Sequence, residues 1–316
     1  MNESGAPLKV VFLGTSDFAL EPLQAILKSR HILAAVVTKS DRSAGRGQKQ
    51  LPTPVKKFME DSCPALPLLQ PDSLKDPAFL DMLRRFQPDI FVVASFPIMP
   101  KILLQIPPLG CLNIHPSLLP KYRGAAPIHW TLMNGDSVTG VTTFFIGGQI
   151  DAGNIFLQQS LEILPWEDYG SLHHRLSVLG AVLALKSLDL IAQSKVTTYP
   201  QNESQATPAP KIRNEHCRID WNRPAHTICN QIRALSPQPV AYTYFQGKRL
   251  KLFAARICPE KLTDSGTAKI QQDRIFIACQ DQSLELLEVQ LEGKKRMKTA
   301  DFIHGLKSNY FRLTST

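Results

Sequence analysis

Through the first two thirds of the chain, short apolar runs alternate with segments whose apolar residues recur at helical spacing. Leu8 to Leu13 is one such run, ending at Gly14, and Phe18, Leu23, Ile26 and Leu27 follow with helical period, so the order is strand, turn, helix. A second run, Ile32 to Val37, leads into TKSDRSAGRGQKQLPTP, a long basic loop that can form no core. Phe79, Leu80, Leu83 and Phe86 mark another amphipathic helix, and Pro88-Asp89 breaks it ahead of a buried-type strand, Ile90 to Ser95. Leu109 to Ile114 supplies a further strand and Gly124 to Met133 a helix; Val141 to Ile146 and Ile155 to Ile163 add two strands, and Tyr169 to Ser194 a long leucine-rich helix. Alternation of this kind predicts an α/β domain, its mostly parallel sheet covered by helices on both faces.

The pattern then changes. Val196 to Pro210, VTTYPQNESQATPAP, is polar, rich in Pro, Ser and Thr, and reads as a linker. Beyond it a short helix over Ala225 to Leu235 gives way to short apolar segments with turn signals at Gln246-Gly247 and Glu292-Gly293, which predicts a small barrel or sandwich. We therefore expect one domain over 1–195, a linker over 196–210 and a second domain over 211–316, since 316 residues exceed one ordinary core. Charge separates the two halves. The net charge is +9, with 18 Lys+Arg against 17 Asp+Glu through Pro210 and 18 against 10 from Lys211 onward. An excess confined to the C-terminal third points to a polyanionic partner, nucleic acid before an anionic membrane. No run reaches about 18 apolar residues and the N-terminus lacks a signal-peptide pattern, so we expect no membrane association and a cytoplasmic protein. The six cysteines, Cys63, Cys111, Cys217, Cys229, Cys258 and Cys279, form no close pair; reduced thiols and no metal are expected.

Candidate chemistry gathers where the Leu109 to Ile114 strand ends. Asn113 and His115, two residues apart on a strand, share a face. The loop that follows lies where ligands bind in an open parallel sheet. Asp151 stands further on, in GGQIDAG. A carboxamide, an imidazole and a carboxylate around one cleft suit acyl transfer without a covalent enzyme intermediate, because no Ser or Cys is placed with a base. An amine attacking an acyl carbon creates an oxyanion that needs fixed donors, a role open to Asn113 and His115. Proton transfer near neutral pH suits His115, and Asp151 would favour its imidazolium and orient the ring or a relaying water. The same residues also read as a turn-bonded Asn-x-His pair and a turn-capping aspartate, and the local pattern leaves both readings open.

The longer run NIHPSLLPKYRGAAPIHW, from Asn113 to Trp130, resembles the signature of the folate-dependent formyltransferases. The match runs nearly end to end: GTSDFA at Gly14, DRSAGRG at Asp41, DAG at Asp151, RIDW at Arg218, IRALSPQP at Ile232, GKRLK at Gly247 and GKKRM at Gly293. The NIHPSLLP block alone is shared with enzymes that formylate glycinamide ribonucleotide or sugars. The DRSAGRG loop and the basic C-terminal domain select the branch that acts on methionyl-tRNA. The resemblance implies a Rossmann-like catalytic domain and a C-terminal OB-like β-barrel that holds tRNA. It implies transfer of the formyl group of 10-formyltetrahydrofolate to the α-amine of methionyl initiator tRNA. In that family the residues matching Asn113, His115 and Asp151 are catalytic, and Ser117, Leu118, Leu119 and Pro120 match the segment that contacts the folate. The arginine-bearing loop matching Asp41 to Gly47 reaches the acceptor end of the tRNA, and nothing demands more than a monomer.

Candidate RNA contacts are accordingly Arg42, Arg46 and Lys49 on the loop and Lys248, Arg249 and Lys251 on a strand whose alternation places two or three cations on one face. A solvated charged surface is the plainer reading of both groups. Gly14-Thr15-Ser16 lacks the G-x-G-x-x-G pattern, which argues against a dinucleotide site. The chain departs from the family at three places. Ser16 stands where proline is usual, Phe96-Pro97 where Tyr-Gly is usual, and GGQIDAGN, Gly147 to Asn154, where the pattern is Asp-x-Gly-Leu-Asp-Thr-Gly-Asp. Asp151 and Gly153 are kept, while the flanking changes bear on the folate pocket. Two other functions fit less of the sequence: a non-catalytic RNA-binding module on a degenerate scaffold, and the same transfer to a nucleotide sugar or small ribonucleotide.

Overall fold

A computed structural model describes residues 5–44, 49–260, 262–306 and 308–314. The chain forms two compact units, one of Met1–Gly124, Val138–Glu162 and His173–Pro208, the other of Ala125–Ser137, Ile163–Leu172 and Ala209–Thr316.

The first unit is built on a seven-stranded sheet. In chain order its strands are β1 (Lys9–Gly14), β2 (Ile32–Val37), β5 (Leu68–Leu69), β6 (Ile90–Ala94), β7 (Cys111–His115), β8 (Val138–Phe145) and β9 (Ile155–Glu162), while β3 (Arg42–Ala44) and β4 (Lys49–Leu51) pair separately as a hairpin. The spatial order is β5-β2-β1-β6-β7-β8-β9. The first five strands run parallel, and β8 pairs antiparallel with both β7 and β9, which is the Rossmann-like, mostly parallel sheet anticipated. Strands covered on both faces read as continuous apolar runs, and all five residues of β6 are buried. The helix over Pro77–Arg85 is capped by Asp76, whose Oδ1 accepts from the Ala78 amide at 3.1 Å. Its Phe79, Leu80 and Leu83 pack in one cluster with Val11, Leu13, Phe91 and Val93.

Local pattern missed the helix over Pro54–Ser62. Only Val55 and Met59 of it are buried, too few to register as a period, and its start is set by Thr53 accepting from the Lys56 amide at 3.0 Å. The polar stretch after Lys195 is hydrogen-bonded into the first unit. Tyr199 bridges Ile155, Pro208 bridges Arg123, and the Thr207 hydroxyl accepts from the Tyr122 amide at 2.9 Å.

In the second unit, β10 (Ala241–Phe245), β11 (Lys248–Cys258), β12 (Thr267–Gln271), β13 (Arg274–Ala278), β14 (Ser283–Leu291) and β16 (Tyr310–Thr314) form an antiparallel ring in the order β11-β10-β16-β12-β13-β14, closed by pairing of β14 with β11. A short β15 (Met297–Lys298) lies outside β14. This is the OB-like barrel. Closure leaves its strands without a free edge, and two bulges near Ala254 bend the long β11. Leu250, Leu252, Ile275, Ile277, Leu284, Leu286 and Val289 fill the interior together with Trp221, whose Nε1–H donates to the Thr243 hydroxyl at 3.0 Å. Strands β12 and β16 escaped the sequence reading because TAKIQ and YFRLT are short and each buries a single residue, Ala268 and Leu313, so neither carries a buried run.

Candidate functional site

Asn113 and His115 lie on β7, at the carboxyl end of the parallel part of the sheet. Antiparallel pairing sets Asn113 opposite Phe144 and His115 opposite Thr142, and period-two alternation brings the carboxamide and imidazole to one face. His115 is only 4% exposed. Its Nε2 lies 2.9 Å from the Tyr122 carbonyl, which can only accept, so Nε2 carries the proton and Nδ1 is the ring atom open to exchange. Asp151 Oδ2 stands 3.8 Å from that Nδ1. The separation exceeds a hydrogen bond and leaves the two groups to be joined by a proton-bearing third atom or a small closing movement. Asp151 Oδ2 also accepts from the Gly124 amide at 2.9 Å. By contrast, no hydrogen bond engages the Asn113 carboxamide among the described residues, so its N–H groups face whatever binds.

Two left-handed residues aim this arrangement. Tyr122 has φ +63° and points its carbonyl at His115; Asp151 has φ +50° and turns its carboxylate inward. Non-glycine residues in this region are strained and persist only where surrounding contacts hold them. Those contacts come from the polar stretch after Lys195. Gln201 Nε2 donates to the carbonyls of Asp151 and Gly153, both at 2.8 Å, and its Oε1 accepts from Arg123 Nε at 3.0 Å. Arg123 in turn donates to both carboxylate oxygens of Glu203, at 2.9 and 2.8 Å. These bonds raise the arginine's pKa and hold the glutamate below the usual carboxylate range. A Cβ at Gly153 would lie 1.8 Å from the Phe145 carbonyl, so glycine is obligatory there. At the departures from the family pattern, Gly147 and Gln149 sit on the exposed part of the loop, and Gly148 between them has open space around it. Gln201 went unremarked in the sequence, since a polar residue in a linker-like stretch carries no local signal, and Arg123 stood within the signature run without being singled out.

The segment after β7 is equally constrained. Ser117 is fully buried and donates to the Lys121 carbonyl at 2.7 Å; Leu119 is buried, and its amide donates to the Thr142 hydroxyl at 3.2 Å. Leu118 and Pro120 are half-buried, and Leu118 packs over Gly140. Side chains of Ser117 and Leu119 are thus committed to the fold, and any contact with a ligand here falls to the backbone and to Leu118 and Pro120. At the end of β6, Phe96 and Pro97 are half-buried and Ile98 is 74% exposed, an apolar surface suited to a flat ring. Cys111, on the same strand face as Asn113, donates to the Leu104 carbonyl at 3.7 Å, and burial pushes its thiol up to about 12, which removes it as a nucleophile.

The basic residues divide. Arg46 lies outside the described residues. Arg42 begins β3 opposite Leu51 and Lys49 begins β4 opposite Ala44, and the base of this strand pair is braced by Lys56 donating to Asp41 at 2.6 Å and Gln70 donating to Asp41 at 2.9 Å. On the barrel, Arg249 and Lys251 share a face of β11, while Lys248 has the parity of the buried Leu250 and Leu252 and ends the hairpin opposite Phe245. Among the described residues no group of three or more His, Cys, Asp or Glu is placed to hold a metal, and no helix is long and apolar enough to cross a membrane.

Comparison with known proteins gives two family matches: Formyl transferase over residues 8–187 and Formyl transferase, C-terminal domain, over 211–307. The chain is 42% identical over 313 residues to a methionyl-tRNA formyltransferase of Syntrophus aciditrophicus, covering 96% of this chain and 97% of that one. It is 43% identical over 301 residues to one of Moorella thermoacetica, covering 94% and 96%. Among solved structures, an N-formyltransferase of Helicobacter canadensis in complex with folinic acid and dTDP-3-aminofucose superposes with TM-score 0.68 at 19% identity, covering 92% of this chain and all of that one. The chain spans about half, 47%, of HypX from Aquifex aeolicus in complex with tetrahydrofolic acid, with TM-score 0.65 and 17% identity.

Proposed function

The chain belongs to the formyl transferase family, and from that premise we propose that it transfers the formyl group of 10-formyltetrahydrofolate to the α-amine of methionyl initiator tRNA. Near-complete coverage of methionyl-tRNA formyltransferases at about 40% identity supports the acceptor, and the barrel with its basic excess suits a polyanion. The residue roles rest on one observation, the approach of Asp151 to His115 beside an uncommitted Asn113 carboxamide.

The folate, when bound, supplies an activated formyl carbon. Asn113 donates to the formyl oxygen as negative charge builds there, and a donor of this kind in a dry site contributes a factor of about 10² to 10³. The methionyl amine forms the new C–N bond, the bond to the folate nitrogen breaks, and the proton released by the amine passes to the leaving nitrogen. Nδ1 of His115 is the relay, because Nε2 is held by Tyr122. Asp151 stabilises the imidazolium formed in passing. Phe96, Pro97 and Ile98 offer an apolar seat for the pterin, with the backbone of 117–120 lining the approach. On the basic side, Arg42, Arg46 and Lys49 would meet the acceptor end, and Arg249 and Lys251, with Lys248 at the hairpin end, the body of the tRNA. A reaction on charged tRNA suits the cytoplasm, and one copy of the chain carries every group invoked, which suits a monomer.

The test is formyl-methionyl-tRNA production from charged initiator tRNA and 10-formyltetrahydrofolate. Turnover with that pair, absent without the folate, is expected. Formylation of a nucleotide sugar but not of charged tRNA would replace the acceptor, and tRNA binding without any transfer would leave only a binding module.

A further inference from the structure

Some cations of the second unit are ion-paired. Arg256 and Arg274 both bond Glu285, Lys269 bonds Glu260 at 3.1 Å, and Arg296 bonds Glu288 at 2.6 Å. Arg213, Arg249 and Lys251 have no carboxylate partner among the described residues, and these three line one cavity of about 220 Å³ together with Asn214 and Tyr242. Glu292, brought beside the hairpin by β14, accepts from the backbone amide of Arg249 at 3.2 Å and makes no ion pair with its guanidinium among the described residues. Like charges gathered in a concavity repel one another unless an anion enters.

The cavity also has a built aromatic floor. Tyr242 and Tyr244 alternate onto one face of β10, and register sets Lys251 opposite Tyr242 and Arg249 opposite Tyr244. The Arg249 guanidinium crosses diagonally and its central carbon lies 4.2 Å from the Tyr242 ring centre, a cation–π contact that holds the planar group over the ring. A guanidinium stacked on one face presents its other face to a planar base, and cations interleaved with aromatics are the usual means of holding single nucleotides. Inorganic phosphate would need the charges alone and would leave this plate unused.

We propose that this cavity seats one nucleotide of the acceptor RNA, its base on Arg249 above Tyr242 and its phosphates against Arg213 and Lys251. The inference rests on the tRNA reading given above and adds a specific site to it. The ion-paired cations of the same barrel take no part.

Equilibrium binding of initiator tRNA to the full chain, measured across a salt series, tests this. Lys251→Gln and Arg213→Gln should each lower the slope of log affinity against log salt by about one. Arg249→Lys keeps the charge and loses the plate, so affinity should fall about ten-fold with the slope unchanged. Arg256→Gln and Arg296→Gln remove the same charge from paired positions and should leave the slope as it was. Equal slope changes at all four neutralised positions would overturn the proposal in favour of a diffuse field. So would variants that weaken binding of uridine 5′-monophosphate while leaving the tRNA slope intact. Failure of the wild-type chain to bind tRNA at low salt removes the acceptor reading as well, whereas salt-sensitive wild-type binding with unaltered pocket variants removes the nucleotide site alone.

Discussion

Around His115 nearly every polar group has a fixed internal partner, whereas around the barrel cavity the cations have no carboxylate partner among the described residues. His115 is held by Tyr122, Asp151 by Gly124 and Gln201, and Arg123 by Glu203. Arg213, Arg249 and Lys251 line the cavity with no ion-pair partner among the described residues. The contrast reflects two tasks. Acyl transfer depends on donors and a proton carrier set in place before the substrate arrives, since reorganisation during reaction would raise the barrier. Capturing a polyanion depends on charge that is not already satisfied, since a cation that must first leave an internal carboxylate gains little from a phosphate. Asn113 is the exception on the first side: its carboxamide is uncommitted, as befits the one group asked to meet the formyl oxygen.

The largest expected effect strikes the ordered region at its centre. His115→Ala should lower kcat by about 10² to 10⁴ and Asn113→Ala by about 10² to 10³, with tRNA affinity unchanged in both, as measured by formylation kinetics beside a binding assay. Near-normal turnover in either variant would remove that residue from the chemistry.

A second group of substitutions leaves the reacting side chains in place and disturbs only their support. Gln201→Glu is nearly isosteric and loses both donors to the Asp151 and Gly153 carbonyls, so kcat should fall about 10- to 100-fold while the KM for tRNA holds. Gly153→Ala forces the same loop off the Phe145 carbonyl and should act in the same direction. If Gln201→Glu instead raised KM alone, the stretch after Lys195 would belong to substrate binding and the contrast drawn above would blur.

The smallest effect concerns the paired cations. Glu285 has a 5% exposed side chain and accepts from Arg274 and Arg256, whose hydrogen bonds hold its carboxyl below the usual carboxylate range. A folded pKa below the unfolded one, about 4.3, means stability that is present above that value and is lost as pH falls through the folded pKa. Thermal unfolding of Glu285→Gln should therefore lie below wild type at pH 7, and the gap should close on acidification towards pH 3. A gap that persisted in acid would assign Glu285 to packing rather than to charge pairing.

What could be read from the residues was whatever repeats along the chain. Ile90 to Ser95 was placed to within one residue and the Ala225–Leu235 helix at its exact bounds, because buried strands and amphipathic helices print a period on their own sequence. Segments that bury only one or two residues, the Pro54–Ser62 helix and strands β12 and β16, print none and were found only in the structure. The shared face of Asn113 and His115 is likewise a local property, following from two residues of spacing on a strand. The remainder of the site is not local. Asp151 meets His115 because its backbone turns left-handed, and it holds that turn because Gln201, fifty residues on, bonds its carbonyl. Net charge, too, could be counted from composition, yet which cations are paired depends on which carboxylates the barrel brings beside them. Periodicity is set by neighbours in sequence, whereas the long-range hydrogen bonds and ion pairs that define both regions exist only once distant segments have been folded together.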